Sequence, residues 1–346
     1  MSNYAQELRK TAEAMVAPGK GVLAMDESNG TCNKRFENLG IPTTEDRRRA
    51  YREMILTTPN LSDYISGAIL YDETIRQSSQ SGKPLTQVMQ EAGIMIGIKV
   101  DTGAKDLTRC PNEKVTEGLD GLRDRIAEYY QMGARFAKWR AVITIGNGIP
   151  SATCIEANAH GLARYAALCQ EGGLVPIVEP EVLIDGDHTI EECYEVTDET
   201  LQAVFDQLRL NKVALDQMIL KPSMVISGKG CSTQASVEQV AEMTVQCLRN
   251  NVPATVPGIA FLSGGQSKER SCAHLNTMNA KYADICPWRV TFSYARAIQQ
   301  PALEHWKGED ANVSAAQKLL LQRAKFNSAA SLGEYTEEME KDLALV

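Results

Sequence analysis

The sequence predicts a single (β/α)8 barrel, and three observations carry that prediction. A chain of 346 residues exceeds an average domain but suits a closed β/α barrel, a fold that runs to ~250 residues and more. Short, nearly continuous apolar segments recur eight times, as strands buried on both faces require, and amphipathic helical patterns lie between them. Charged or small polar residues interrupt the apolarity at the carboxyl ends of seven of these segments, where such a barrel builds its site. With 43% hydrophobic and 23% charged residues, the chain can bury about three quarters of its unfolded surface in one core.

The elements follow in chain order. GVLAMD (21–26) opens the sheet, and DESNGT follows it where a dinucleotide-binding fold would carry GxGxxG. Thr43 with Asp46 has the spacing of a capping box. YISGAIL (64–70) and IMIGIKV (94–100) are the second and third strands, rich in β-branched isoleucine. A helix over Leu119–Met132 ends at Gly133, as a left-handed C′ residue would end it. ARFAKWR (134–140) and LVPIVEP (174–180) supply the next two strands, and Leu201, Val204, Phe205 and Leu208 recur at helical spacing. DQMILKP (216–222) is stopped by Pro222, which cannot continue regular pairing. Ser236 with Gln239 caps an amphipathic run through Val237, Val240, Ala241, Thr244 and Val245. GIAFLS (258–263) and VTFSYAR (290–296) complete the set, and Ser314 with Gln317 reads as a last capping box. From Asn327 the composition turns polar, so the sequence divides into a catalytic barrel, 1–326, and a mobile C-terminal tail, 327–346.

Composition removes several function classes. The longest apolar runs, Gly173–Val178 and Gly258–Leu262, fall far short of the ~20 residues that span a bilayer. Met1 leads into Glu7 and Glu13 with neither an apolar signal region nor an Arg-rich transit pattern, so a cytoplasmic protein is expected. A net charge of −8 without a basic stripe argues against nucleic-acid and anionic-membrane partners. A local cleft can still focus positive potential on a small anion. Nine scattered cysteines without a CxxC pair suit a reducing compartment. Four histidines without HxH or HxxxH spacing give no metal site.

The strand ends carry the candidate chemistry: Asp26, Lys99, Lys138 with Arg140, Glu179 with Glu181, Lys221, Ser263 before Gly264 and Gly265, and Arg296. Any one alone is equally well a loop charge or a helix cap. Side chains alternate along a strand, so Lys138 and Arg140 share a face, as do Glu179 and Glu181, and the charges converge on one mouth. An amine must be neutral to attack a carbonyl, and an ordinary lysine is so in only about one molecule in 2,500 at pH 7. A like charge ~4 Å away in an effective dielectric of ~20 contributes ~4 kcal/mol towards closing that gap. Lys221, with Lys138 as the neighbouring cation and Glu179 as proton carrier, is the minimum set for Schiff-base chemistry. The FLSGGQS turn can close backbone N–H groups on a phosphate, with Arg296 as the adjacent guanidinium.

LAMDES, GIKVD, FAKWR, PIVEPE, ILKPSMV, FLSGGQS and TFSYARA, in this order, resemble class I fructose-bisphosphate aldolase over residues 4–335, closest to plastid-type and cyanobacterial members. The resemblance implies a metal-independent homotetrameric barrel without cofactor, reversibly cleaving fructose 1,6-bisphosphate to dihydroxyacetone phosphate and glyceraldehyde 3-phosphate. Sedoheptulose 1,7-bisphosphate is a second substrate of the same class, and plastid stroma an alternative location. It implies that Lys221 forms the Schiff base, Asp26 orients the iminium and Lys138 tunes the nucleophile and shuttles protons. Glu179 would be the general acid/base and Glu181 its hydrogen-bonding support. Ser263, Gly264, Gly265 and Arg296 would hold the phosphate of the ketone half; Lys99, Arg140, Thr31 and Arg35 would serve the far phosphate. The competing readings are another Schiff-base sugar-phosphate aldolase or transaldolase, whose substrates carry one phosphate, and a non-catalytic scaffold on the same fold. Many members end in a tyrosine that protonates the enamine, whereas this sequence ends Leu343, Ala344, Leu345, Val346 and has its last tyrosine at Tyr335. Slower release of dihydroxyacetone phosphate with normal carbon–carbon cleavage is the expectation.

Overall fold

The computed structural model describes residues 4–341. Eight parallel strands, β1 (Gly21–Ala24), β2 (Ile65–Leu70), β3 (Met95–Lys99), β4 (Phe136–Ile143), β5 (Val175–Val182), β6 (Ile219–Leu220), β7 (Gly258–Phe261) and β8 (Arg289–Phe292), pair in chain order. Ala24 N–H donates to the Tyr294 carbonyl at 3.1 Å, which brings the exit of β8 back onto β1. The expected (β/α)8 barrel is the fold observed, and each of the eight apolar segments contributes its strand.

Two apolar layers hold the barrel. Inside, Val22, Ile69, Phe136, Val175, Ile177 and Ile219 fill the lumen, and Leu8, Ala12 and Met15 of the helix Ala5–Met15 pack against that filling. A methyl group on Gly97 would overlap the Phe136 ring, so the glycine in the third strand is what lets a phenylalanine occupy the lumen. Outside, the opposite strand faces and the surrounding helices form one larger core that includes Trp139, Tyr165 and Trp306. Among the described residues no helix is long and apolar enough to cross a membrane, and all nine cysteines are free thiols.

The structure departs from the sequence reading at element edges. An antiparallel hairpin, Gly103–Asp106 with Lys114–Glu117, follows β3; its strands, GAKD and KVTE, are polar and carry no apolar alternation to announce them. The Ser236–Gln239 capping box forms, and a second box, Thr189 with Glu192, opens the helix Ile190–Leu210. The cap expected at Thr43 is Thr44, which accepts from Arg47 N–H. Ser314 lies inside its helix, whose N-cap is Asn312 without a side-chain bond. Gly133 adopts φ +98°, as a C′ residue should.

The polar segment after residue 326 does not leave the barrel at once. The helix Val313–Ser331 runs through it, with Asn327 fully buried, donating to the Arg323 carbonyl at 2.7 Å and accepting from the Cys272 thiol at 3.1 Å. Tyr335 is buried as well and donates to Glu340 at 2.9 Å, while Glu340 accepts twice from fully buried Arg323, at 2.6 and 2.7 Å. Polar composition misleads here because these side chains satisfy one another internally. The terminal residues Leu343–Val346 lie outside the described residues.

Candidate active site

Four strand exits build the centre of the mouth. Asp26 follows β1, Lys138 lies within β4, Glu179 within β5, and Lys221 immediately follows β6, fixed by its own N–H donating to the Val178 carbonyl at 2.8 Å. All four are at most 8% exposed, so each charge depends on its neighbours for stabilisation. Lys138 Nζ stands 2.8 Å from Asp26 Oδ2 and 3.3 Å from Glu179 Oε2, and Lys221 Nζ stands 3.3 Å from Glu179 Oε1. The two amines therefore share one carboxylate, with Glu179 between them.

The electrostatics follow from burial opposed by pairing. Burial pushes the Asp26 carboxyl up, but Lys138, Lys221 and Lys99 outweigh it and hold the group at about 2. Glu179 is likewise lowered: burial raises it, and Lys138, Lys221 and Arg140 more than compensate. Burial alone would depress Lys138; Asp26 and Glu179 instead raise it above an ordinary lysine. Two carboxylates and two amines thus interlock, a set in which protons can be exchanged over one hydrogen-bond length.

Around this centre the strand period arranges a second rank. Arg140 pairs in register with Glu179 across β4 and β5, yet its Nε donates to Glu181, two residues on. Lys99 sits beside Asp101 at 3.4 Å and 5.9 Å from the Tyr71 ring centroid. At the exit of β7, Ser263 is buried, and Gly264 and Gly265 take φ of +53° and +85°, left-handed values that a glycine pair adopts without strain. A Cβ on Gly265 would lie 3.3 Å from Arg296 Nη2, so the guanidinium at the start of the helix Arg296–Trp306 closes on this turn.

The model of the family described as fructose-bisphosphate aldolase class-I matches residues 7–345. A protein of Xanthomonas campestris pv. campestris named probable fructose-bisphosphate aldolase class 1 is 61% identical over 331 residues, 95% of this chain and 98% of its own. The chain belongs to the class I fructose-bisphosphate aldolases. It is accordingly a lyase. Within that family it is also 51% identical over 343 residues to a chloroplastic fructose-bisphosphate aldolase of Arabidopsis thaliana, covering 99% of this chain and 85% of the relative. The solved fructose-bisphosphate aldolase of Plasmodium falciparum, in complex with TRAP and a small-molecule inhibitor, superimposes with a TM-score of 0.95 at 46% identity over 97% of each chain.

Two residues expected at the far phosphate, Thr31 and Arg35, have hydrogen-bond partners within the protein. Thr31 stands in the first turn of the helix Asn29–Glu37, its N–H donating to the capping Ser28 Oγ at 3.3 Å. Arg35 belongs to a polar cluster, donating to Glu27, to Gln299 at 3.3 Å and to Gln300 at 3.2 Å. Two residues of the mouth escaped the sequence reading. Asp101 accepts from Gly103 N–H at 3.1 Å and Arg140 N–H at 3.3 Å, and the same alternation that pairs Lys138 with Arg140 would have pointed to it from Lys99. Lys229, flanked by two glycines, reaches the Gly265 turn.

Proposed function

We propose that the chain reversibly cleaves fructose 1,6-bisphosphate through a Schiff base on Lys221. The observation that carries this reading is the buried chain Lys221–Glu179–Lys138–Asp26, each link 2.8 to 3.3 Å long. Such a set can take a proton from an amine, give it to a departing hydroxyl and return it, which imine formation requires in succession.

In the proposed sequence the neutral Lys221 amine adds to the keto carbon, forming the C–N bond as the carbonyl π electrons move to oxygen. Glu179 carries the amine proton to that oxygen, a second proton passed from Lys138 through Glu179 lets the hydroxyl leave as water, and the iminium that results is oriented by Asp26. A base removes the proton of the hydroxyl on the next-but-one carbon. The intervening C–C bond breaks, its electrons neutralising the iminium as an enamine, and glyceraldehyde 3-phosphate departs as aldehyde. Protonation of the enamine carbon and hydrolysis of the imine release dihydroxyacetone phosphate and restore Lys221. Lys138 shuttles protons and Glu181 supports the mouth through Arg140. Ser263, Gly264, Gly265 and Arg296 take the phosphate of the ketone half; Lys99 and Arg140 take the far one, with Thr31 and Arg35 at its edge.

We further infer a metal-independent homotetramer acting in the cytoplasm, with plastid stroma the alternative, and sedoheptulose 1,7-bisphosphate as a second substrate. The deciding experiment is intact-mass analysis after borohydride treatment with dihydroxyacetone phosphate in EDTA. A covalent adduct on the wild type and none on Lys221→Ala is expected. Folded, ligand-binding wild type without adduct would overturn the mechanism.

A further inference from the structure

We propose that Lys229 is a second cation for the phosphate on the ketone half of the substrate, sharing with Arg296 the cradle floored by Gly265. The proposal rests on the reading of Ser263–Gly265 and Arg296 as that phosphate's site. A Cβ built on Gly265 would meet Lys229 Nζ at 2.9 Å and Arg296 Nη2 at 3.3 Å, so the two cations lie within about 6 Å of each other over a bare glycine Cα. Like charges repel at that separation. Among the described residues Arg296 has no ion-pair partner, and Lys229 has one, Asp185 Oδ1 at 3.1 Å. One carboxylate thus accompanies two cations, and the positive charge left over suits an anionic phosphate.

The backbone delivers Lys229 to this place with little freedom. Gly228 N–H donates to the His188 carbonyl at 2.9 Å, Lys229 N–H to the Ile184 carbonyl at 2.9 Å, and Gly230 N–H to the Gly186 carbonyl at 2.7 Å. The loop after β6 is so zipped onto the loop after β5, and a Cβ on Gly228 would fall 2.5 Å from the Gly186 carbonyl oxygen, which excludes any larger residue there. The glycines on either side of Lys229 therefore fix the loop, and the lysine between them is its projecting charge. Its pair with Asp185 is half-exposed, with side chains 48% and 69% accessible; such pairs are weak, and the ammonium can exchange a carboxylate for a phosphate at small cost.

Steady-state kinetics on fructose 1,6-bisphosphate and fructose 1-phosphate, with inorganic phosphate as competitive probe, test this. Lys229→Gln should raise KM for both substrates, and Ki for phosphate, about tenfold, the size of one charge-assisted hydrogen bond. Its kcat should fall far less, and Lys229→Arg should recover most of the loss. Unchanged KM and Ki in Lys229→Gln, with both raised in Arg296→Gln, would overturn the role of Lys229 and leave the cradle standing. If neither variant moves them, the cradle itself is misplaced. A loss seen with the bisphosphate and absent with fructose 1-phosphate would assign Lys229 to the far phosphate and likewise overturn the proposal.

Discussion

Asp26 and Glu27 are adjacent at the exit of β1, and each is the carboxylate at the heart of a charged cluster, but the clusters are built from different cations. Asp26 faces Lys138 at 2.8 Å inside the barrel mouth, with Glu179 and Lys221 beyond it. Glu27 faces Arg35 and, at 2.8 Å, Arg52 between the helices that wrap the barrel, where Tyr51 donates to Gln299 at 2.8 Å beside them. Burial raises the Glu27 carboxyl and the two guanidinia lower it further than burial lifts it. A guanidinium cannot give up its proton, whereas an amine can. The arginine cluster is therefore a permanent clamp, and the lysine cluster is one in which charges can move.

Breaking each cluster should separate the two roles. Lys221→Ala should cut kcat by about 10⁴-fold or more, roughly 5 kcal/mol, while stability falls less than in Glu27→Gln, since Glu179 keeps Lys138 as a partner. Turnover within tenfold of wild type would contradict the nucleophile assignment. Glu27→Gln should do the reverse. It leaves Arg35 and Arg52 without their carboxylate, at a cost of about 3–5 kcal/mol in urea unfolding, with kcat per folded molecule within about threefold.

Exchanging the cations sharpens the contrast. Lys138→Arg keeps the charge between Asp26 and Glu179 but removes the exchangeable proton, so kcat should fall about 10²- to 10³-fold with stability little altered. Arg52→Lys should cost stability, because a single ammonium cannot replace the guanidinium that reaches both Glu27 Oε2 at 2.8 Å and the Glu27 carbonyl at 3.3 Å, and should leave kcat alone. Equal kinetic losses in both variants would remove the distinction.

The lysine cluster was legible in the sequence and the arginine cluster was not, for a physical reason. A strand alternates strictly, so a charge that interrupts an apolar strand at its carboxyl end, such as Lys138 or Glu179, announces both its face and its end of the barrel. Arg35 sits on a helix, where a long side chain reaches several directions, and the sequence offered no means of seeing that Glu27 would claim it. Lys229 escaped because its position is set by hydrogen bonds between two loops, Gly228–Gly230 with Ile184–His188, and such pairing leaves no periodic trace. Asn327 and Tyr335 misled in the opposite sense: their polarity reads as solvent exposure, yet they are buried against Arg323 and Glu340.

The smallest effect distinguishes the clusters by their response to acid. Asp26 is held at about 2 in the folded chain against an ordinary value of 3.8, so below that ordinary value the unfolded state binds the proton more readily than the folded one. Its contribution to stability is therefore complete above about pH 4 and is lost as the pH falls towards 2. The shift corresponds to about 2 kcal/mol. Asp26→Asn, which cannot titrate, should be less stable than wild type at neutral pH, and the gap should narrow by that amount between pH 4 and 2 in urea unfolding. The same variant should lose activity throughout, because Lys138 then answers to Glu179 alone. A stability gap that stays constant down to pH 2 would mean that Lys138 does not hold Asp26 ionised, and the mouth would then be a clamp of the same kind as the arginine cluster beside it.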